Sequence, residues 1–468
     1  MSFRWIPDLV SAAAISRPIA AAVLVVPPGC SEPRRLAASV PVRQRGSAAK
    51  VGIVRAYRVL ASVIFLNFTA GGATMPFFSL YATSLGASLG QIAFVVGVQS
   101  AVAMVAGLVW GRVADRVGRR KPFIVGAVAA MALTSLAIAR VPSWPWLVPL
   151  HVALGVAQGA QQVSSLALMG DILEGHPRRG RLVSGYRMSG SLAFSVAIVT
   201  SGWIAENVGL RGSFLLASGV YALSFLVALF ITEPGRLAST ARSVGFVGLM
   251  RGPMRPLLIL ALSFGVPFSA VFSVWPIWVA DVLGYGRATF SQLWGIAAFV
   301  EVPCILVAGM LVDRVGRRPT FVAGLTGFAV VYLLYVLEPP LPGLVGAQVL
   351  RGVAFAAYTA TALTMAIDLA PAEERGRAAG LFTSAQGLAQ IAGSWVGGPL
   401  AAALGFRALF ALASAAVLCG AAYSYLVLGR RAAAAGAPAA ETIGSPVAPR
   451  AVASRRPGPR PDEGVKTR

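Results

Sequence analysis

GRVADRVGRRKP, Gly111 to Pro122, and GMLVDRVGRRPT, Gly309 to Thr320, contain the same six residues, DRVGRR, 198 positions apart as measured from Asp115 to Asp313. A mostly apolar chain that repeats a charged hexapeptide at this distance is built from one unit used twice. Two further pairs repeat at nearly the same spacing, 196 positions. VGLRGSFLLAS (Val208 to Ser218) matches LGFRALFALAS (Leu404 to Ser414), and the Arg-Gly-Arg at Arg179 to Arg181 matches the one at Arg375 to Arg377.

The matter between these landmarks is apolar. Of 468 residues 57% are apolar and 12% charged, and the mean hydropathy is +0.74, outside the range of water-soluble domains. Runs of roughly 18 to 25 apolar residues, each enough for one helical crossing, lie near 57–82, 91–112, 122–139, 147–170, 184–205, 213–231, 256–280, 290–312, 320–337, 343–366, 378–402 and 407–428. The expected architecture is an all-α membrane protein of twelve transmembrane helices in two six-helix, pseudo-symmetric halves, 57–232 and 256–428, joined by a central loop, 233–255. Residues 1–56 are expected to form a flexible basic extension, because Arg17-Pro18 interrupts the apolar segment from Leu9 to Val26 and argues against a cleaved leader. The Ala-, Pro- and Arg-rich tail 429–468 is expected to be disordered.

The net charge of +23 finds its reason in topology. With the N-terminus cytoplasmic, 35 of the 40 Lys and Arg fall at cytoplasmic ends, loops and tails; Arg140, Arg211, Arg287 and Arg407 lie outside and Arg351 within a span. Basic residues resist translocation, so both termini are expected in the cytoplasm of a cell whose cytoplasmic membrane holds the chain. A nucleic-acid surface needs those charges on one soluble face, and none is available. Cys30, Cys304 and Cys419 have no paired spacing, and His151 and His176 are isolated. Neither a metal nor another cofactor is expected, and no nucleophile and base spacing marks an enzyme.

The duplicated loop, Gly111, Asp115, Arg116, Gly118, Arg119 and Arg120 in one half and Gly309, Asp313, Arg314, Gly316, Arg317 and Arg318 in the other, resembles the signature loop of the major facilitator superfamily. The resemblance covers residues 57 to 428. It implies a transporter that rocks one half against the other around a central cavity, with every third helix a peripheral support. It also implies that Asp115 caps a neighbouring helix, that Arg119 and Arg120 pair with Asp171, and that Asp313, Arg317 and Arg318 with Asp368 repeat this arrangement. The loop reads as a cytoplasmic gate latch; a bare topology anchor is the alternative.

Strongly polar residues inside a span usually face a cavity. Spans three, six, nine and twelve have none in their apolar stretches, while the remaining spans hold Asn67, Gln99, Gln158, Gln161, Gln162, Glu301, Gln348, Arg351, Gln386 and Gln390. Glu301, the one acid well inside a span, is expected to hold a proton, to pair with a cation, or both. Arg351 can bind an anionic group, partner Glu301, or snorkel. The glutamines and Asn67 can read a substrate or join helices. Pro303 can break its helix and free carbonyls. Phe77, Phe78, Trp275 and Trp278 suit a stacked ligand or an interfacial aromatic belt.

Gly155 stands where many drug antiporters of the superfamily have Arg, and span five lacks Pro. Glu301-Val302-Pro303, by contrast, is similar to the superfamily's sugar and aromatic-acid symporters. The expected function is proton-coupled secondary transport of a small molecule by a monomer, with efflux of an amphipathic compound favoured over uptake of a sugar or organic acid. A receptor of transporter shape is the alternative from another class.

Overall fold

The computed structural model describes residues 42–173, 179–233, 255–368 and 375–434, and the regular elements among them are all helical. Most of the expected N-terminal extension and central loop, and the tail beyond residue 434, lie outside the described residues. Inside hydrocarbon no water serves the backbone, so apolar runs of this length close their own N–H and C=O groups as helices.

In the first half α1 (Val42–Thr74) passes through a 3-10 turn, Met75–Phe77, into α2 (Phe78–Ser84); α3 (Leu89–Val117), α4 (Lys121–Ile138), α5 (Leu147–Ile172), α6 (Arg179–Asn207) and α7 (Leu210–Ala228) follow. The second half has α8 (Arg255–Ile277) with a π turn at Trp278–Val282, α9 (Gly286–Val315), α10 (Arg317–Val336), α11 (Leu341–Asp368) and α12 (Arg375–Ala434). The first span begins earlier than expected, since α1 is helical from Val42. Ten helices are long and apolar enough to cross a membrane. That number omits α5, which carries Gln158, Gln161 and Gln162, and treats α12 as one rod although Gly405 divides it. With α5 included and α12 divided, the described residues accommodate the expected twelve crossings. Leu133, Leu166, Phe299 and Leu333 remain exposed on the outside of the bundle, which suits a multi-pass protein whose solvent is lipid.

The sequence repeat returns as repeated geometry. Gly209 and Gly405 both take positive φ, 97° and 82°, at the turns that enter α7 and the last part of α12. Gly118 and Gly316 do the same at the ends of α3 and α9, with φ of 68° and 97°; a Cβ is strained there, so glycine ends each helix inside DRVGRR. The support helices are tied alike, for Ser218 Oγ donates to the Ala132 carbonyl at 2.9 Å and Ser414 Oγ to that of Ala329 at 2.8 Å. Gly155 and Gly352 sit on backbone carbonyls of α3 and α9, where an added Cβ would lie 2.7 Å from Gln99 O and 2.6 Å from Ala297 O. Pro76 and Pro276 mark the two matching helix breaks, at the 3-10 turn and just before the π turn. Pro303 does not break its helix: α9 runs through it, and only the Phe299 carbonyl loses its i+4 donor there.

The halves meet at the end of the bundle away from the DRVGRR loops. Phe77 crosses to Phe290 edge-on, ring centroids 5.4 Å apart at 89°, and Phe290 continues to Trp275 and Trp294. Gly398 leaves room only for the Leu89 carbonyl and Ala93, and Gly202 only for Ser291. Glu206, at the end of α6, accepts the backbone N–H groups of Arg287 and Ala288 at 3.1 and 3.3 Å, while Arg287 Nη1 donates to the Ala205 carbonyl. Each half thus caps a helix of the other, a carboxylate at the start of α9 and a guanidinium at the end of α6, as the helix dipoles favour.

At the same end Arg407 Nη2 donates to Glu338 Oε2 at 2.6 Å and holds the Glu338 carboxyl below its ordinary value of 4.5. A depressed pKa stabilises the fold above the ordinary value, and the gain is lost as pH falls through the lowered one. Glu338→Gln is therefore expected to lower the melting temperature slightly at pH 7 and by progressively less as the pH falls below 4.5, the small size following from the exposure of the pair. Equal effects across that range would remove the ion pair as the cause.

Candidate functional site

Two arrangements of charge stand out, one at the first DRVGRR loop and one inside the second half. At the loop Arg120 is held from three sides. Its Nε lies 2.8 Å from Asp171 Oδ2 at the end of α5, its Nη2 lies 3.6 Å from Asp115 Oδ1 at the end of α3, and its backbone N–H donates to Glu233 Oε1 at 2.6 Å. Glu233 also accepts from the Lys121 backbone, and Lys121 Nζ donates to the Leu229 carbonyl at 2.7 Å. The carboxylate that caps a helix here is thus Glu233 beyond α7, seated on the first N–H groups of α4. Asp115 turns to Arg120. These contacts all lie within the first half, where they brace α3, α4, α5 and α7 against one another.

The second loop is tied differently. Arg318 donates to the Tyr425 carbonyl near the end of α12 and lies over the Tyr425 ring, 4.5 Å from its centroid. Asp313 is exposed, and the side chain of Asp368 lies outside the described residues. Among the described contacts, Arg120 of the first half meets acids and Arg318 of the second meets a ring and a carbonyl.

Inside the second half Arg351 of α11 is 6% exposed. Its Nη2 donates to the Trp294 carbonyl of α9 at 3.3 Å, and its Cζ lies 4.8, 5.7 and 5.1 Å from the ring centroids of Phe272, Trp275 and Trp294. A guanidinium among three ring faces gains cation–π attraction, which strengthens as water is removed. Glu301, two turns after Trp294 in α9, is half-buried and within electrostatic reach of Arg351. The two do not form an ion pair; those found among the described residues join Arg120 with Asp115 and Asp171, and Arg407 with Glu338. Tyr335 accepts from Gln348 Nε2 at 2.7 Å, one turn before Arg351.

The other expected polar residues separate into two groups. Gln99 and Gln158 join each other at 3.2 Å and keep exposure, as do Gln162 and Gln390; Gln386 donates to the Tyr358 hydroxyl at 3.0 Å. Gln161 is buried against Ser165 of its own helix, and Asn67 meets Ser224 of α7, a support helix, at 3.1 Å. Phe77, Phe78, Trp275 and Trp278 are buried in the interior, so the interfacial belt is not their place. Sequence reasoning passed over Glu233, Glu206, Phe272 and Trp294. Only the first two had a usable signal, an acid directly beyond an apolar run.

Comparison with known proteins follows the same lines. Residues 60–304 and 257–458 match the family described as the Major Facilitator Superfamily. Multidrug resistance protein MdtG of Citrobacter koseri is 25% identical over 78% of this chain and 93% of its own length. Maltose permease of Geobacillus stearothermophilus is 27% identical over 72% of this chain and 86% of its own. Among solved structures, a D323A mutant of the nucleoside transporter NupG superposes with a TM-score of 0.69 at 15% identity, covering 79% of this chain and 99% of that one, a likeness of fold.

Proposed function

The chain belongs to the Major Facilitator Superfamily, and from that premise we propose that it exports an amphipathic small molecule across the cytoplasmic membrane by alternating access, in exchange for protons taken up at Glu301. The observation that carries the reading is Glu301 itself, a carboxylate inside a membrane-spanning helix with no ion-pair partner among the described residues and a cation within electrostatic reach. An ionised acid in hydrocarbon costs several kcal/mol, so it is stable only when protonated or beside a cation. Such a group can trade a proton for cargo. Kinship with a multidrug resistance protein supports export.

The DRVGRR end is read as cytoplasmic, since basic residues gather there, and both termini then lie inside. The contacts between the halves close the other end, so the structure is read as open toward the cytoplasm. Glu301-Val302-Pro303 and the kinship with a maltose permease support a second reading, uptake of a sugar or organic acid together with a proton.

The test is proton movement in proteoliposomes challenged with lipophilic cations, sugars and aromatic acids, with Glu301→Gln as the comparison. Compound-dependent flux that disappears in the variant is expected, and its direction relative to the compound separates exchange from co-transport. Equal flux in both proteins would move proton coupling away from Glu301.

A further inference from the structure

We infer that the cargo is a zwitterion, an aromatic or apolar body whose anionic group seats at Arg351 and whose cationic group seats at Glu301. The inference rests on the transport reading above and names the class of compound it moves.

Two opposite charges share one region of the second half and do not neutralise each other. The guanidinium is held at the Trp294 carbonyl, 3.3 Å away. Glu301 lies seven residues further along the same helix, on nearly the same face, within electrostatic reach of the guanidinium but not in an ion pair with it. A cation and an anion held apart in a medium of low dielectric compensate each other only in part. The complement of both is a molecule with the reverse charges at a similar separation. A compound with one charge would leave the other group as it stands.

The neighbourhood of Arg351 independently calls for a ligand oxygen. Trp275 Nε1 and Tyr332 Oη are buried without hydrogen-bond partners, and unpartnered buried polar atoms are rare. Each belongs to a neighbour of the guanidinium. The Trp275 ring centroid is 5.7 Å from Arg351 Cζ, and Tyr332 lies within electrostatic reach. An indole N–H and a phenol O–H are donors, as a guanidinium is, and a carboxylate accepts from all three. Phe268, Phe272, Trp294 and Phe355 supply ring faces beside them for the body of such a compound. The first half has no second site of this kind, because the position matching Arg351 there, next to Gly155, is Leu154.

The cationic group of the cargo and a proton would compete for one carboxylate, which is how a zwitterion exchanges for protons. The ionisable groups around the pair are Tyr332 and Tyr335 from α10; α8 brings Phe272 and Trp275, and α6 meets α9 through Ser195, Ile198, Val199 and Gly202.

The test is binding to the purified full chain in lipid nanodiscs, measured by calorimetry and by thermal shift. Three probes are compared: 4-(aminomethyl)benzoate, its methyl ester, which keeps only the cation, and its N-acetyl derivative, which keeps only the anion. The zwitterion is expected to bind at least about tenfold more tightly than either, about one good charge-assisted contact. Arg351→Gln is expected to erase its advantage over the methyl ester alone, Glu301→Gln its advantage over the N-acetyl compound alone, and Arg351→Lys to keep part of the first. Equal affinities for the three probes, absence of binding by the folded protein, or variants that weaken all three by one factor would overturn the inference. Zwitterion binding without flux in liposomes would instead sink the transport reading and leave the site standing.

Discussion

Asp171→Asn is expected to slow transport by at least tenfold while leaving membrane insertion intact, and Asp115→Asn to slow it only two- to threefold. The order follows from geometry at Arg120. Asp171 meets Nε at 2.8 Å with a side chain 33% exposed, whereas Asp115 meets Nη2 at 3.6 Å and is 58% exposed. A short, partly shielded charge-assisted bond is worth about 1.5–3 kcal/mol, and 1.4 kcal/mol is a factor of ten in a conformational equilibrium. A long bond in contact with water falls below that. Because Arg120, Asp115, Asp171 and Glu233 all lie in the first half, losing the bond softens the half that the proposed alternating access moves as a unit. Arg120→Lys should not rescue, since a point charge cannot hold a fork. Initial rates in proteoliposomes, normalised to inserted protein, decide the matter. A larger loss in Asp115→Asn would place the important partner of Asp115 in the other half.

The repeat, the helical class and the likeness of the halves were legible in the sequence because they depend on residue identity at fixed spacing. Gly209 and Gly405 turn alike since nothing else tolerates that φ, and Ser218 and Ser414 reach across to Ala132 and Ala329 from matching registers. What the sequence could not convey is the rotation of each helix about its axis. In water an apolar stripe fixes that rotation; in lipid the outside is as apolar as the core, and the stripe disappears. Asn67 and Gln99 therefore carried the same cue, although one turns to a support helix and the other to Gln158. Trp275 and Trp278 sit at a depth that fits a belt, and only packing reveals them as interior plugs. The brace at Arg120 was half visible: its loop and Asp171 were named by the motif, but Glu233 arrives from beyond α7, far away in sequence and near only in the fold.

Gly398→Ala is expected to drive the halves apart at the end where this structure closes them. A Cβ on Gly398 would lie 2.2 Å from the Leu89 carbonyl oxygen and 2.7 Å from the Ala93 Cβ. A backbone oxygen cannot rotate away, so relief requires α3 and α12 to separate, and α3 carries the first half with it. Overpacking of this kind costs about 1–3 kcal/mol, enough to move a two-state balance by one to two orders of magnitude. Gly202→Ala meets the Ser291 side chain, which has a rotamer to give, and should act less. Gly219→Ala, with nothing within 4 Å, should do nothing. Spin labels at Arg140 and Leu341, with the native cysteines removed, report the closed end; labels at Val117 and Val315 report the other. Gly398→Ala should lengthen the first distance and shorten the second if, as the proposed alternating access requires, the halves rock about the middle of the membrane. Lengthening of both would mean loss of packing without rocking, and no change in either would show that α3 and α12 can part at this point without moving the halves.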